Sequence, residues 1–201
     1  MASLTLIRHG QSTYNRANLF TGNVDVPLTS LGEAEALAAG KKIKDFIYNI
    51  ACTSMLIRAQ ETLRIILEEI QQTTIPVIKN AALNERMYGN LQGLNKSETA
   101  RIYGDAQVEI WRRSYDVRPP GGESLEDTFN RTIPFYKLEI EPKLNAGGNI
   151  LIVAHGNSLR ALMMYLENIS KEEIVKVNIP TGLPRLYNFN NELKLISVKY
   201  L

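Results

Sequence analysis

The chain has 201 residues, 44% hydrophobic and 22% charged, with a formal net charge of +2. This fits one soluble globular domain and excludes wholesale disorder and collagen-like structure. No apolar run approaches the ~20 residues of a membrane span, the N-terminus lacks a secretory-signal pattern, and so small a charge gives no reason to expect a nucleic-acid partner.

Leu4-Thr5-Leu6-Ile7 reads as a buried strand, and Ser30 with Glu33 as a capping box opening an amphipathic helix through about Phe46. A short strand over 49–52 and a helix over 56–70 follow. The strand at 75–78 is expected at an edge, because Pro76 has no N–H to give. Residues 84–95 are loop-like, helices follow at 96–103 and 105–114, and Arg118-Pro119-Pro120-Gly121-Gly122 is a break. The helix from Ser124 to about Leu144 contains Pro134, which should kink or split it. Asn149–Ala154 is the clearest strand, a helix starts near Ser158, and Ser170 with Glu173 caps a short one. Strands at 185–190 and 194–199, joined through Asn190-Asn191, end the pattern. Such alternation predicts an α/β fold, a mostly parallel central sheet with helices on both faces. The helical middle third, residues 84–123, is expected to cap one end of it within a single domain spanning 1–201.

Both histidines share one context: Leu6-Ile7-Arg8-His9-Gly10-Gln11-Ser12 and Ile152-Val153-Ala154-His155-Gly156-Asn157-Ser158. Each is a strand, then His-Gly, an amide and a serine able to cap a helix. In a parallel sheet both imidazoles would lie past the carboxyl ends of strands, where open α/β sheets bind ligands. The helix N-termini that follow favour anions, and the glycines let a ligand approach the backbone. A neutral histidine can attack phosphorus and hold the phosphoryl group covalently, while a second, protonated one and arginine forks stabilise the oxygens. Arg8 and Arg58 are the arginines so placed, and Glu85, in the glycine-bearing loop, is the candidate general acid.

Leu6-Ile7-Arg8-His9-Gly10 resembles the R-H-G motif of the histidine phosphatase superfamily. The stretch Leu83-Asn84-Glu85-Arg86-Met87-Tyr88-Gly89-Asn90-Leu91-Gln92-Gly93-Leu94-Asn95-Lys96 is similar to the 2,3-bisphosphoglycerate-dependent phosphoglycerate mutases. So are Trp111-Arg112-Arg113, His155 through Arg160, and Asn178-Ile179-Pro180-Thr181-Gly182. The resemblance covers almost the whole chain. It implies the three-layer phosphoglycerate mutase-like sandwich and, as activity, interconversion of 3-phosphoglycerate and 2-phosphoglycerate, with 2,3-bisphosphoglycerate priming a phosphohistidine. It makes His9 the nucleophile, with Arg8, Arg58 and His155 around the transferring group and Glu85 moving the proton. Gly10, Gln11, Ser12 and Asn15 belong to the phosphate loop. Thr21, Gly22, Arg86, Tyr88, Lys96, Arg112 and Arg113 hold the carboxylate and second phosphate, and Gly156 and Asn157 complete the pocket. A mutase must retain an intermediate with two phosphates while it turns, so cations are needed at the far side as well.

Relatives often carry R-H-G-E where this chain has Gln11, which removes a negative charge near the phosphate. Pro120 runs straight into Gly121-Gly122-Glu123-Ser124, where longer mutases carry a further stretch, and the sequence ends at Leu201, where they carry a covering tail. A less covered pocket is expected to release more phosphate to water. A broad phosphatase on the same scaffold is the runner-up. A binding module without turnover is the non-enzymatic alternative. Cys52 and Arg58 have the C-x5-R spacing of thiolate phosphatases, but no glycine lies between them, and Cys52 reads as a small core residue. A single cysteine suits a reducing cytoplasm. No metal is expected, since two distant histidines offer no ligand spacing. No membrane or nucleic-acid partner is expected either. Oligomeric state is not legible from the residues; relatives form dimers or tetramers, so the expectation is a homodimer.

Overall fold

A computed structural model describes residues 2–201. Four strands, β1 (Ala2–Arg8), β2 (Ile50–Thr53), β3 (Val77–Lys79) and β4 (Asn149–Ala154), run parallel; β5 (Arg185–Phe189) pairs antiparallel to β1, and β6 (Leu195–Tyr200) pairs antiparallel to β5, which returns it to the direction of the first four. The sheet order is β3-β2-β4-β1-β5-β6, so the α/β reading with a mostly parallel sheet is correct, and β3 lies at an edge. Pro76 sits just before β3 and uses only its carbonyl, which accepts from Ala51 N at 3.0 Å.

The central strands are buried on almost every residue because both faces are covered, and they are largely apolar for that reason. On β4, Ile150, Ile152 and Ala154 enter one core while Leu151 and Val153 enter the other. The second core is closed by α2 (Ser30–Lys42) and α3 (Ile57–Glu69) through Ala39, Ala59, Leu63 and Ile66. The first is closed by α6 (Leu125–Phe135) and α8 (Gly156–Glu167) through Ile133, Leu159 and Leu162. Each such fully buried Leu or Ile contributes about 1.5–3 kcal/mol. A satellite cluster of Phe20, Leu91 and Val108 packs with Tyr88 and Trp111, so α4 (Lys96–Tyr103) and α5 (Asp105–Arg113) rest on the loop after the short α1 (Thr13–Arg16). Among the described residues no helix is long and apolar enough to cross a membrane.

Several boundaries differ from expectation. Thr29, not Ser30, caps α2, its hydroxyl accepting from Gly32 N at 3.1 Å, and the helix ends at Lys42. The helix that contains Pro134 is split, as expected: α6 ends at Phe135, and one π-turn, Tyr136–Ile140, leads into α7 (Glu141–Asn145). Ser158 does not start α8; the cap is His155, and Ser158 Oγ accepts from its N–H at 3.2 Å. Ser170 does cap the one-turn α9 (Lys171–Ile174).

Candidate active site

Topology sets the site. β1 and β4 are parallel neighbours in register, Arg8 opposite Ala154, so the next residue of each is a histidine at the same sheet edge. The imidazole centroids of His9 and His155 lie 4.9 Å apart, and both side chains are buried. His9 Nδ1 lies 2.7 Å from the carbonyl oxygen of Gly10. A carbonyl can only accept, so Nδ1 carries the proton and Nε2 keeps its lone pair. That lone pair receives a long, 3.3 Å bond from Arg58 Nε. Burial, then the charges of Arg58 and Arg8, hold the His9 pKa well below the ordinary histidine value, against the opposing pull of the Gly10 bond. His155 is depressed in the same way, by burial first and then by Arg58, His9 and Arg8, so both rings are neutral at pH 7. Ser54, the residue after β2, places Oγ 2.7 Å from His155 Nε2.

Arg58, near the start of α3, is fixed by the carbonyls of Val24 and Gly22, at 2.8 and 2.7 Å. Burial lowers its pKa to about 10, which leaves it charged. Gly22, with φ at +55°, has Gln92 Oε1 packed where a Cβ would sit, so only glycine fits that carbonyl's turn. Arg8 donates Nη1 to Ile179 O at 2.9 Å, while its buried Nε has no partner. Unpartnered polar atoms also remain on Arg86, at Nε and Nη1, and on His155, at Nδ1. A buried donor without an acceptor is costly, and the free Nε of Arg8, which borders the open space over Gly156, is one that an anion there would satisfy.

Glu85 enters from the loop before α4. Its Oε1 accepts three N–H groups, from Arg86 N at 2.8 Å, Asn157 N at 3.0 Å and Asn157 Nδ2 at 3.1 Å. Oε2 is the oxygen left for proton exchange. Burial alone would raise the Glu85 pKa, but the Arg86 N–H, the charges of Arg8 and Arg58 and the Asn157 N–H outweigh it, and the net shift is downward. The loop is clamped by Arg131, which donates to the carbonyls of Ala81, Ala82, Asn84 and Glu85 and pairs with Glu123 at 3.1 Å. Beyond Glu85 opens a cavity of about 190 Å³ whose lining includes Arg8, Tyr88, Lys96, Arg112, Arg113 and Arg160. That is below the roughly 300–1,000 Å³ of drug-sized sites, so its occupant is small. Among the described residues that line it, five cations face the single carboxylate of Glu85; Arg112 and Arg113 also pair with Glu109 of their own helix at 3.6 and 3.7 Å, and the remaining positive charge suits an anion.

The profile of the histidine phosphatase superfamily, branch 1, matches residues 4–193. The chain is 57% identical over its whole length to the 2,3-bisphosphoglycerate-dependent phosphoglycerate mutase of Cytophaga hutchinsonii, covering 94% of that protein. It is 55% identical over 96% of its length to the protein of the same name from Nitrobacter winogradskyi, covering 95% of it. The chain belongs to the phosphoglycerate mutase family of the histidine phosphatase superfamily. Among solved structures, the Bacillus stearothermophilus YhfR protein superposes with a TM-score of 0.84 at 23% identity, covering 97% of this chain and 94% of that one. A mycobacterial glucosyl-3-phosphoglycerate phosphatase does so at 0.82 and 24%, covering 99% and 96%. At those identities the likeness establishes the family fold alone.

Within this family fold, His9, His155, Arg8, Arg58, Glu85, Gly156 and Asn157 converge, and Tyr88, Lys96, Arg112 and Arg113 share the cavity beside them. Other residues named from the sequence stand differently. Gln11 turns its amide oxygen to Thr29 Oγ1 at 2.9 Å, so its side chain faces the start of α2, where it does not bear on charge at the histidines. Ser12 and Asn15 form a capping box: Ser12 Oγ accepts from Asn15 N and Asn15 Oδ1 from Ser12 N. That leaves the Asn15 NH₂ for a ligand. Gly10 is not kept small for a ligand's approach; a Cβ there would lie 2.1 Å from Gly32 O, so the requirement is the close crossing of α2. Gly156 does border ligand space, a Cβ meeting only Glu85 Oε2, Arg160 Nη1 and Arg8 Nε at 3.5 Å or more. The N–H of Asn157, in the first turn of α8, is taken by the Glu85 carboxylate. Thr21 is buried, and Arg86, over the Tyr88 ring at 4.7 Å, donates to Trp111 O and Arg112 O, tying the glutamate loop to the end of α5. Sequence reasoning missed Ser54, Asn178, Arg131 and Arg160. Arg160 was recoverable, because it lies four residues after Gly156 on one helix face. Cys52 is buried and its thiol is pushed up to about 12 by burial, so the C-x5-R thiolate reading is wrong. Among the described residues no three His, Cys, Asp or Glu are grouped as metal ligands would be.

Proposed function

We propose that this protein interconverts 3-phosphoglycerate and 2-phosphoglycerate by way of a phosphoryl group carried on His9. The observation that favours this over a general phosphomonoesterase is the second set of cations. Arg8 and Arg58 flank the histidines, and Lys96, Arg112 and Arg113 stand across the same cavity, where a monoesterase has nothing to hold. Residues 84–123 act in this reading as the cap that carries those cations.

His9 Nε2 attacks phosphorus, forming a P–N bond as the bond to the substrate oxygen breaks. Nδ1–H stays on Gly10 O throughout and keeps the ring oriented. Arg58 Nε moves from the lone pair to a phosphoryl oxygen as that lone pair is used. Arg8 and the neutral His155 donate to the other oxygens, so the stabilisation is electrostatic and pre-positioned. Glu85 Oε2 gives its proton to the departing oxygen and, in return transfer, takes the proton of the hydroxyl that attacks. Phosphoryl and proton therefore move in opposite directions, and each half-reaction restores what the other used. With Glu85 ionised in the empty site, the matching state is the phosphorylated enzyme awaiting a hydroxyl; an anionic substrate beside it raises its proton affinity. The primer 2,3-bisphosphoglycerate fits the unpartnered donor of Arg8 and the far cations, and when bound it supplies the phosphoryl group that loads His9. Incubation with 3-phosphoglycerate and a trace of the bisphosphate tests the reading: 2-phosphoglycerate should accumulate, and release of phosphate alone would refute it.

A further inference from the structure

Arg160, from the second turn of α8, lines the same cavity as Lys96. Arg160 is 8% exposed, and its bonds run to Val177 O at 2.9 Å and Asn157 Oδ1 at 3.2 Å, with no carboxylate paired to it. Its cationic neighbour Arg113 also lines the cavity, with a loose 3.7 Å pairing to Glu109 of its own helix, and among the described residues that line the cavity the one carboxylate is Glu85. A buried guanidinium on neutral acceptors, crowded by like charge, is uncompensated until an anion arrives.

Resting on the reading of this site as one for phosphoglycerates, we propose that Arg160 is a further substrate-binding residue, gripping the non-reacting anionic end of the substrate and so setting selectivity for carboxylate-bearing phosphates. Burial and Arg113 already lower its pKa to about 10, which an arriving anion would reverse. The Asn157 bond aims the guanidinium, and the same Asn157 donates to Glu85, so the far-end grip and the proton-transfer group share one strut.

The test is steady-state kinetics of the full chain carrying Arg160→Gln or Arg160→Lys, with 3-phosphoglycerate and with p-nitrophenyl phosphate, which has no carboxylate and a leaving group that needs no proton. Loss of a charge-assisted contact predicts a KM for 3-phosphoglycerate raised at least about tenfold in R160Q. R160K should be intermediate, since it keeps the charge but not the fork, and p-nitrophenyl phosphate turnover should stay within about threefold for both. An unchanged KM for 3-phosphoglycerate would overturn the proposal. So would a fall in kcat alone, which means action only through Asn157 on Glu85, or equal losses on both substrates in both variants, which means a structural role. Release of phosphate reads the same selectivity if the unsubstituted protein fails to isomerise, so failure of the mutase reading is told apart from failure of this one. Should R160Q not fold, R160K carries the comparison.

Discussion

Replacing Glu85 by glutamine isolates proton transfer from everything else the residue does. The three N–H groups on Oε1 need only an oxygen there, and the glutamine carbonyl supplies it. The amide NH₂ then occupies the place of Oε2, isosteric but unable to give or take a proton at neutral pH. General acid–base catalysis is worth about 10²–10⁴-fold, which is roughly 3–5 kcal/mol of barrier. E85Q should lose that much in kcat with 3-phosphoglycerate, whose alkoxide is a poor leaving group. With p-nitrophenyl phosphate, whose phenolate leaves unaided, the loss should be under about tenfold, because attack by His9 does not involve Glu85. Stopped assays on both substrates, with a circular-dichroism melt to establish folding, give the ratio directly. Equal losses on the two substrates in a folded variant would refute the assignment of Glu85 as acid and base.

Burial of neutral His9 and His155 makes stability pH-dependent. The folded pKa values lie below the unfolded value of about 6.5, so the contribution is complete above that pH and is lost as the pH falls, at about 1.4 kcal/mol per unit for each ring. Urea midpoints between about pH 7.5 and 5 should show this slope, and a His155→Asn variant about half of it; a flat profile would contradict the burial. Arg131→Met removes the donors to four loop carbonyls and leaves Glu123 unpaired, so it should cost about 2–3 kcal/mol by urea titration and lower kcat at least about tenfold; retention of both would show the loop holds itself. Cys52 should resist thiol reagents in the native protein, and C52S should keep full activity, because the thiol is buried and its pKa is near 12.

The layered sheet was legible because its central strands are short, mostly apolar runs set between helical patterns, and the histidine pair because two copies of one pattern ended two of those strands. Parallel pairing of β1 with β4 then follows from packing, which no local pattern states. What could not be read were choices between neighbours. Thr29 and Ser30 are both good caps, and the position of Gly32 against Gly10 decides for Thr29. Gln11 looked like a phosphate ligand by its place after His-Gly, but its amide has a nearer partner in Thr29. The protonation of Glu85 was undetermined for the same reason. It depends on Asn157 and Arg8, which are distant in sequence and meet it only in the fold. Arg131 and Ser54 carry no motif, and their roles exist only as distances.

The central claim is that His9 carries the phosphoryl group. Intact-mass and peptide mass spectrometry after brief exposure to 2,3-bisphosphoglycerate, with the sample kept alkaline, tests it most directly. One acid-labile phosphoryl group should be found on the peptide containing His9, and none in a His9→Ala variant. An unmodified protein that still isomerises, or a phosphoryl group on any other residue, would contradict it.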